Sequence, residues 1–419
     1  TIRNYLKYLN PFMDHFHYKE NELFAEEVAL YDVAEKYGTP AFVYSKATLK
    51  RHAKAYINSF KSMDGLVCFS VKALSNISIL KILKNSGCGF DIVSGGELHR
   101  ALLAGADPKK IIFSGVGKSK AEMVAGIEND ILSFNVESKQ ELDQLGMVAA
   151  EMKKIAPVAI RFNPNVDAGV HEFTKTGRKS DKFGVSIEAA KDLVKRCSEN
   201  SNLNLVGLTC HIGSQIMELN GFEEAASQAL ELLIELEKLN INLDFIDMGG
   251  GLGVNYVGEE TVQPIELVQC YEKIFSGRTE RLILEPGRSI SANAGVMVTR
   301  VEYKKNDFLI ADAAMNDLLR PALYQAHHDV WPVTKNNDAT VSTVNLVGPI
   351  CETGDFLAKN INSESLKGDL LAIKTVGAYG LVMSSNYNSR PRAAEIIVDK
   401  DKFYLIRKRE DYSSLTALE

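Results

Sequence analysis

The stretch Cys68-Phe69-Ser70-Val71-Lys72-Ala73-Leu74-Ser75-Asn76 decides how the chain is read. An apolar, strand-like run (Leu66, Val67, Phe69, Val71) ends in a single lysine, Lys72, and a helical pattern begins after Asn76. Lysine is seldom buried without a partner, and desolvation disfavours its charged form. A surface lysine at a loop mouth is the ordinary reading. A Schiff-base lysine, activated by partial burial, is the sharper one. What stands at the ends of the following strands decides between them.

From Gly65 onward the pattern is regular. Short apolar runs at Leu66–Val71, Gly89–Val93, Lys110–Phe113, Ile131–Phe134, Val158–Phe162, Leu205–Cys210, Leu243–Met248 and Arg281–Leu284 read as strands buried on both faces. Helical segments separate them. Ser94 opens one with the capping-box pattern S-G-G-E, and Gly105 stops it. After Asn220, residues Phe222, Ala226, Ala229, Leu230, Leu233 and Leu236 share one helical face. Eight strands alternating with helices over about 220 residues predict an α/β, TIM-like (β/α)8 barrel. A doubly wound open sheet is the rival, but no GxGxxG follows the first strand. After Arg288, strand-like runs and turns dominate, which predicts an all-β sandwich or barrel domain. The expected division is a barrel over 37–288, with 1–36 and 289–419 forming the β domain.

Composition narrows the function. The chain has 419 residues, long for one core, which predicts two domains. A formal net charge of −6 gives no basic footprint for nucleic acid. No stretch is apolar and long enough to span a bilayer as a helix. The start, TIRNYLKYLN, lacks a signal-peptide core and an initiator Met, so the true start is expected upstream. Six scattered cysteines without a CxxC pair predict reduced thiols, a cytoplasmic setting and no metal site.

In a barrel, chemistry gathers at the C-terminal strand ends. Those ends carry Lys72, Asp91, Ser114, Asn135, Arg161 with Asn163, Cys210-His211-Ile212-Gly213-Ser214, Gly249-Gly250-Gly251 and Glu285-Pro286-Gly287-Arg288. Alone, a triple glycine is more often a turn, His211 a hydrogen-bonded structural residue, and Glu285 a salt-bridge partner, for instance of Arg161. Together they fit a pyridoxal phosphate site. Lys72 would hold the aldehyde, Glu285 would keep the ring nitrogen protonated, and His211 would lie on the ring. The glycines and Ser214 would meet the phosphate, which barrels commonly bind after strands seven and eight.

The motifs SVKALSN, GFDIVSGGE, HIGSQ, DMGGGLG and EPGRSI resemble those of the fold-type III pyridoxal-phosphate decarboxylases. Further stretches resemble the branch of that family acting on diaminopimelate: 166–184, 285–295, 315–328, 348–356 and 386–396. Phe69-Ser70-Val71-Lys72-Ala73-Leu74 stands where that family usually has Tyr-Ala-Xaa-Lys-Ala-Asn, and Thr353 where serine is usual. The resemblance covers nearly the whole chain. It implies a homodimer with shared active sites, using pyridoxal 5'-phosphate to decarboxylate meso-2,6-diaminopimelate to L-lysine. It implies catalytic Lys72, Glu285, His211 and Cys351. Asp91, Ser214, Gly250, Gly251, Gly287, Arg288 and Tyr379 join Lys72, His211 and Glu285 around the cofactor. Arg288, Arg320, Tyr324, Glu352 and Tyr379 serve the substrate, with Cys351 and Glu352 coming from the partner subunit. For Arg320 the competing reading is a structural pair with Asp317 or Asp312. Residues 166–184 have the length and glycines of a lid. The rival functions are a sister decarboxylase of arginine, ornithine or carboxynorspermidine, an amino-acid racemase, and a non-catalytic relative that binds a partner.

Overall fold

In the computed structural model the described residues are 14–167, 182–336, 338 and 340–419. The start read for a signal peptide, and residues 168–181 of the expected lid, lie outside them. The chain forms two compact units. One comprises Ala53–Gly253 and Glu260–Arg288; the other comprises Thr1–His52, Val254–Glu259 and Ser289–Glu419.

The first unit is a closed parallel barrel. Its strands, in chain order, are Gly65–Ser70, Gly89–Ile92, Ile111–Phe113, Ser133–Val136, Ala156–Arg161, Leu203–Thr209, Phe245–Asp247 and Arg281–Leu284. Closure comes from Leu282, Ile283 and Leu284 pairing with Gly65, Leu66 and Val67, which excludes an open sheet. Leu66, Cys68, Ile112, Ala159, Val206, Phe245 and Ile283 pack as one apolar cluster drawn from six strands. The buried polar residues Asp91, Ser114, Asn135, Thr209, Asp247 and Glu285 lie at or just beyond C-terminal strand ends. Burying such groups is costly unless they find partners, so their grouping marks the functional end.

The helices follow the expected periodicity with two local differences. Asn220–Glu237 buries Phe222, Ala225, Ala226, Ala229, Leu232, Leu233 and Leu236, while Leu230 is half-buried at the edge of the stripe. Ser94 Oγ accepts the Glu97 N–H at 3.2 Å. The Glu97 carboxylate turns to the Val93 N–H at 2.8 Å, one residue earlier than a reciprocal capping box requires.

The second unit holds a mixed sheet. Along its path lie Phe356–Ser363, Ser342–Val347, Phe308–Ala311, Gly295–Lys305, Ala41–Ser45, Ala394–Asp399 and Lys402–Arg407. Leu370–Ile373 branches from Gly295–Lys305 and pairs with Val330–Pro332. Ala41–Ser45 runs antiparallel to Gly295–Lys305 and parallel to Ala394–Asp399, so an N-terminal strand lies among C-terminal ones. Val43, Val296, Val298, Ala372, Ile396 and Val398 form its core with Leu30 and Val33. Sequence reading did not foresee Phe356–Ser363. Its exposed Lys359 and Asn360 break the alternation, and Asn360 has φ of 52° where the register with Ser342–Val347 shifts.

Candidate active site

Lys72 sits in a single 3-10 turn, Val71–Ala73, directly after the first barrel strand. Beyond it Asn76 caps the helix Ile77–Asn85 by accepting the Ser78 N–H at 2.9 Å. The lysine is thus fixed between a buried strand and a capped helix. Its Nζ lies 2.9 Å from Asp91 Oδ2 on the second strand, with the Asp91 carboxyl fully buried and the Lys72 side chain 36% exposed. The amine therefore spans a buried anion and an accessible face.

Ser70 Oγ lies 2.9 Å from both Asp91 Oδ2 and the Glu285 carbonyl oxygen, joining the first, second and eighth strand ends. The Glu285 N–H donates to the Gly249 carbonyl at 2.7 Å, which ties in the seventh. Asp247, on that strand, accepts the Gly249 N–H at 2.8 Å through Oδ1. Its carboxyl adjoins that of Glu285. Burial, then the charges of Asp247 and Asp91, push Glu285 well above the carboxylate range. Burial likewise raises Asp247, opposed by its bonds to Glu285 and Gly249. With both acids ionised, Asp247 Oδ2 and Glu285 Oε1 have no donor. A proton on Glu285 serves the pair, because two adjacent buried carboxylates resist ionising together.

His211 follows the sixth strand. Burial, then the charges of Lys72 and Arg161, hold it well below its usual titration, so it is neutral. Its Nδ1 accepts the Gly250 N–H at 3.2 Å, which places the ring proton on Nε2. A Cβ on Gly250 would collide with the Glu285 carbonyl. Gly251 has φ of 113°, and a Cβ there would stand 2.6 Å from the Gly213 carbonyl. The triple glycine is therefore required by close packing against the sixth and eighth strand ends, whatever else it binds. Arg288, nearly buried, donates to Ser214 Oγ from Nε at 3.1 Å and from Nη2 at 2.9 Å. Arg161 pairs with Glu137 at 3.0 Å and lies over the Phe183 ring. The salt-bridge partner considered for Glu285 is thus committed elsewhere.

The barrel unit gathers Lys72, Asp91, His211, Ser214, Gly250, Gly251, Glu285, Gly287 and Arg288. The other expected residues belong to the second unit. Arg320 opens the short helix Arg320–Tyr324, with Nη1 2.8 Å from His328 Nε2 and its guanidinium carbon 4.7 Å from the Tyr256 ring centre. Asp317 accepts the Ala314 N–H, and Arg390 approaches both Asp317 and the Asp312 carbonyl. Cys351 is exposed, with Sγ 3.4 Å from Asn388 Oδ1, and Glu352 bonds the Tyr387 hydroxyl. Buried Asp355 holds their loop by accepting the Met315 N–H at 2.7 Å and the Ile350 N–H at 2.8 Å. Tyr379 takes a left-handed backbone, φ 56°.

These residues fit pyridoxal phosphate. Glu285 Oε1, buried and without a donor, suits a protonated ring nitrogen, and Lys72 suits an aldehyde. Sequence reading passed over Asp247, Ser70, Asp355 and His328. For Asp247 a signal existed: the second carboxylate of the run Leu243–Met248, at its C-terminal end just before Met248 and the glycines.

Residues 46–292 match the family described as "Pyridoxal-dependent decarboxylase, pyridoxal binding domain". The chain is 49% identical over 411 residues to the diaminopimelate decarboxylase of Pseudomonas aeruginosa, covering 97% of this chain and 99% of that one. The diaminopimelate decarboxylase of Helicobacter pylori, solved with L-lysine, is 40% identical with a TM-score of 0.90, covering 93% of this chain and 98% of that one. The enzyme from m. jannaschii, also solved with L-lysine, is 35% identical with a TM-score of 0.91, covering 96% of this chain and 97% of that one.

Proposed function

We propose how the residues divide the work from one premise: this chain belongs to the diaminopimelate decarboxylases of the pyridoxal-dependent decarboxylase family. It is a carboxy-lyase that converts meso-2,6-diaminopimelate to L-lysine and CO₂. The sister decarboxylases of arginine, ornithine or carboxynorspermidine are the weaker reading, given the near-full-length identity to relatives of the diaminopimelate name. The observation that carries the assignment of residues is the strand-end network in which Lys72, Asp91, Ser70 and Glu285 meet.

Pyridoxal phosphate, when bound, supplies an electron sink for the bond electrons left by departing CO₂. Lys72 would hold the aldehyde and give way to the substrate amine. Asp91 holds Lys72 Nζ in place before that exchange. Glu285 would keep a proton on the ring nitrogen. Neutral His211 would meet the ring without adding charge to it. Ser214, Gly250, Gly251, Gly287, Arg288 and Tyr379 would take the phosphate. Cys351 or Lys72 would return a proton to the carbon that lost CO₂. Arg288, Arg320, Tyr324, Glu352 and Tyr379 would serve the far end of the substrate, where guanidinium forks suit a carboxylate. Sites built to bond such a group reject analogues lacking it by roughly 10⁴-fold or more.

The working form is a homodimer, with Cys351 and Glu352 given to the partner subunit's site. The exposure of Cys351 in the single chain supports this reading. Mixing Lys72→Ala chains with Cys351→Ala chains restores activity if sites are shared, and leaves it lost if each chain is self-sufficient. The setting is cytoplasmic, supported by six unpaired cysteines, and the step is the last of lysine biosynthesis. Purified protein given meso-diaminopimelate should release CO₂ and L-lysine in equal amounts. Racemisation without CO₂ release, or turnover of ornithine or arginine instead, would overturn the reading.

A further inference from the structure

We infer that His328 is a positioning residue for the substrate's far carboxylate: as a neutral imidazole it fixes the direction of the Arg320 guanidinium. This rests on the role proposed above for Arg320. His328 is 1% exposed. Its Nδ1 lies 2.8 Å from the Lys374 carbonyl oxygen, which can only accept, so Nδ1 carries the hydrogen. Nε2 is then a lone-pair acceptor, and it lies 2.8 Å from Arg320 Nη1. A proton on Nε2 would set N–H against N–H.

The acceptor that sets this tautomer is itself anchored. The Lys374 N–H donates to the Asp329 carbonyl at 2.8 Å. Its Nζ reaches Asp14 at 3.1 Å and lies 3.7 Å from the Trp331 ring centre. Tyr256 completes the arrangement. Its ring meets His328 edge-on, at 5.4 Å and 83°, while lying under the Arg320 guanidinium. Arg320 is held at Nη1 by an imidazole and sits over the ring of a phenol. Both orient it, and neither neutralises it. A carboxylate in the place of His328 would orient the fork equally well but cancel the charge a substrate carboxylate needs.

Two substitutions separate this role from a structural one. The short amide of His328→Asn can keep the bond to the Lys374 carbonyl but falls short of Arg320. His328→Gln extends its amide to about the Nε2 position. The probes are two competitive inhibitors: L-lysine, which carries the far carboxylate, and 1,5-diaminopentane, which lacks it. In His328→Asn the Ki of L-lysine and the KM of diaminopimelate should rise roughly tenfold. The Ki of 1,5-diaminopentane and kcat should stay within about threefold. His328→Gln should restore most of the lysine affinity. Unchanged lysine inhibition in His328→Asn, equal weakening of both inhibitors, or a Gln variant no better than Asn would overturn the inference. Arg320→Ala run alongside tells the two failures apart. If Arg320→Ala leaves the ratio of the two Ki values intact, the reading of Arg320 falls. If it collapses the ratio while His328→Asn does not, only the role of His328 falls.

Discussion

Three buried carboxyls crowd the barrel mouth, whereas the Arg320 cluster of the second unit is a cation held by neutral rings. At the mouth, Asp91 Oδ1, Asp247 Oδ2 and Glu285 Oε1 each lack a donor. In the Arg320 cluster, His328 and Tyr256 present a lone pair and a π face to a guanidinium. Burying unpaired charge is costly in either sign. The mouth gathers three acids, of which Glu285 is held protonated beside Asp247 and Asp91 is paired with Lys72; this suits a protonated ring and an amine. The cluster orients one guanidinium, the group proposed above for a substrate carboxylate.

Removing the mouth's own cation should cost the most activity. Lys72→Ala should lower turnover by about 10⁴-fold or more and abolish the visible absorbance of lysine-bound cofactor. Retention of both would remove Lys72 from its role. Glu285→Gln should cost about 10²–10³ in kcat, measured with saturating cofactor. The same variant should raise the melting temperature of the cofactor-free chain, because one buried acid is gone and the amide can donate to Asp247. Loss of activity without a stability gain would show that Glu285 is not strained in the free chain. On the other side, Tyr256→Leu should raise the KM of diaminopimelate by only about threefold to fivefold, the worth of one cation–π contact. A change in kcat instead would mean that Tyr256 acts on chemistry and not on Arg320.

Much of the mouth is legible in the sequence because strands alternate with helices at a steady spacing, so any polar residue closing an apolar run is conspicuous. Lys72, His211 and Glu285 stand out for that reason. Asp247 hides because its strand is only three residues long and the glycines after it draw attention. Its importance comes from the neighbouring eighth strand, and pairing across strands is invisible in one chain's order. His328 is eight positions from Arg320, no periodicity joins them, and the Lys374 carbonyl that sets its tautomer lies 46 residues on. Arg320, Cys351 and Glu352 are singled out by motif likeness alone, since nothing in their local pattern marks chemistry. Phe356–Ser363 escaped because an edge strand rich in Lys and Asn lacks the apolar alternation that announces one.

The acids crowded at the mouth are matched to a cationic cofactor, and the pH dependence of stability reads out that match. Folding raises the titration of Glu285 and Asp247 above their unfolded values. The stability they contribute is therefore complete below the ordinary carboxylate range and is lost as pH rises through their folded-state titration. Thermal melting of the cofactor-free chain from about pH 5 to about pH 9 should show falling stability, with a flatter profile in Glu285→Gln. Loading with pyridoxal phosphate should flatten the wild-type profile to match. A loaded wild-type chain that still loses stability along the original slope would contradict the match.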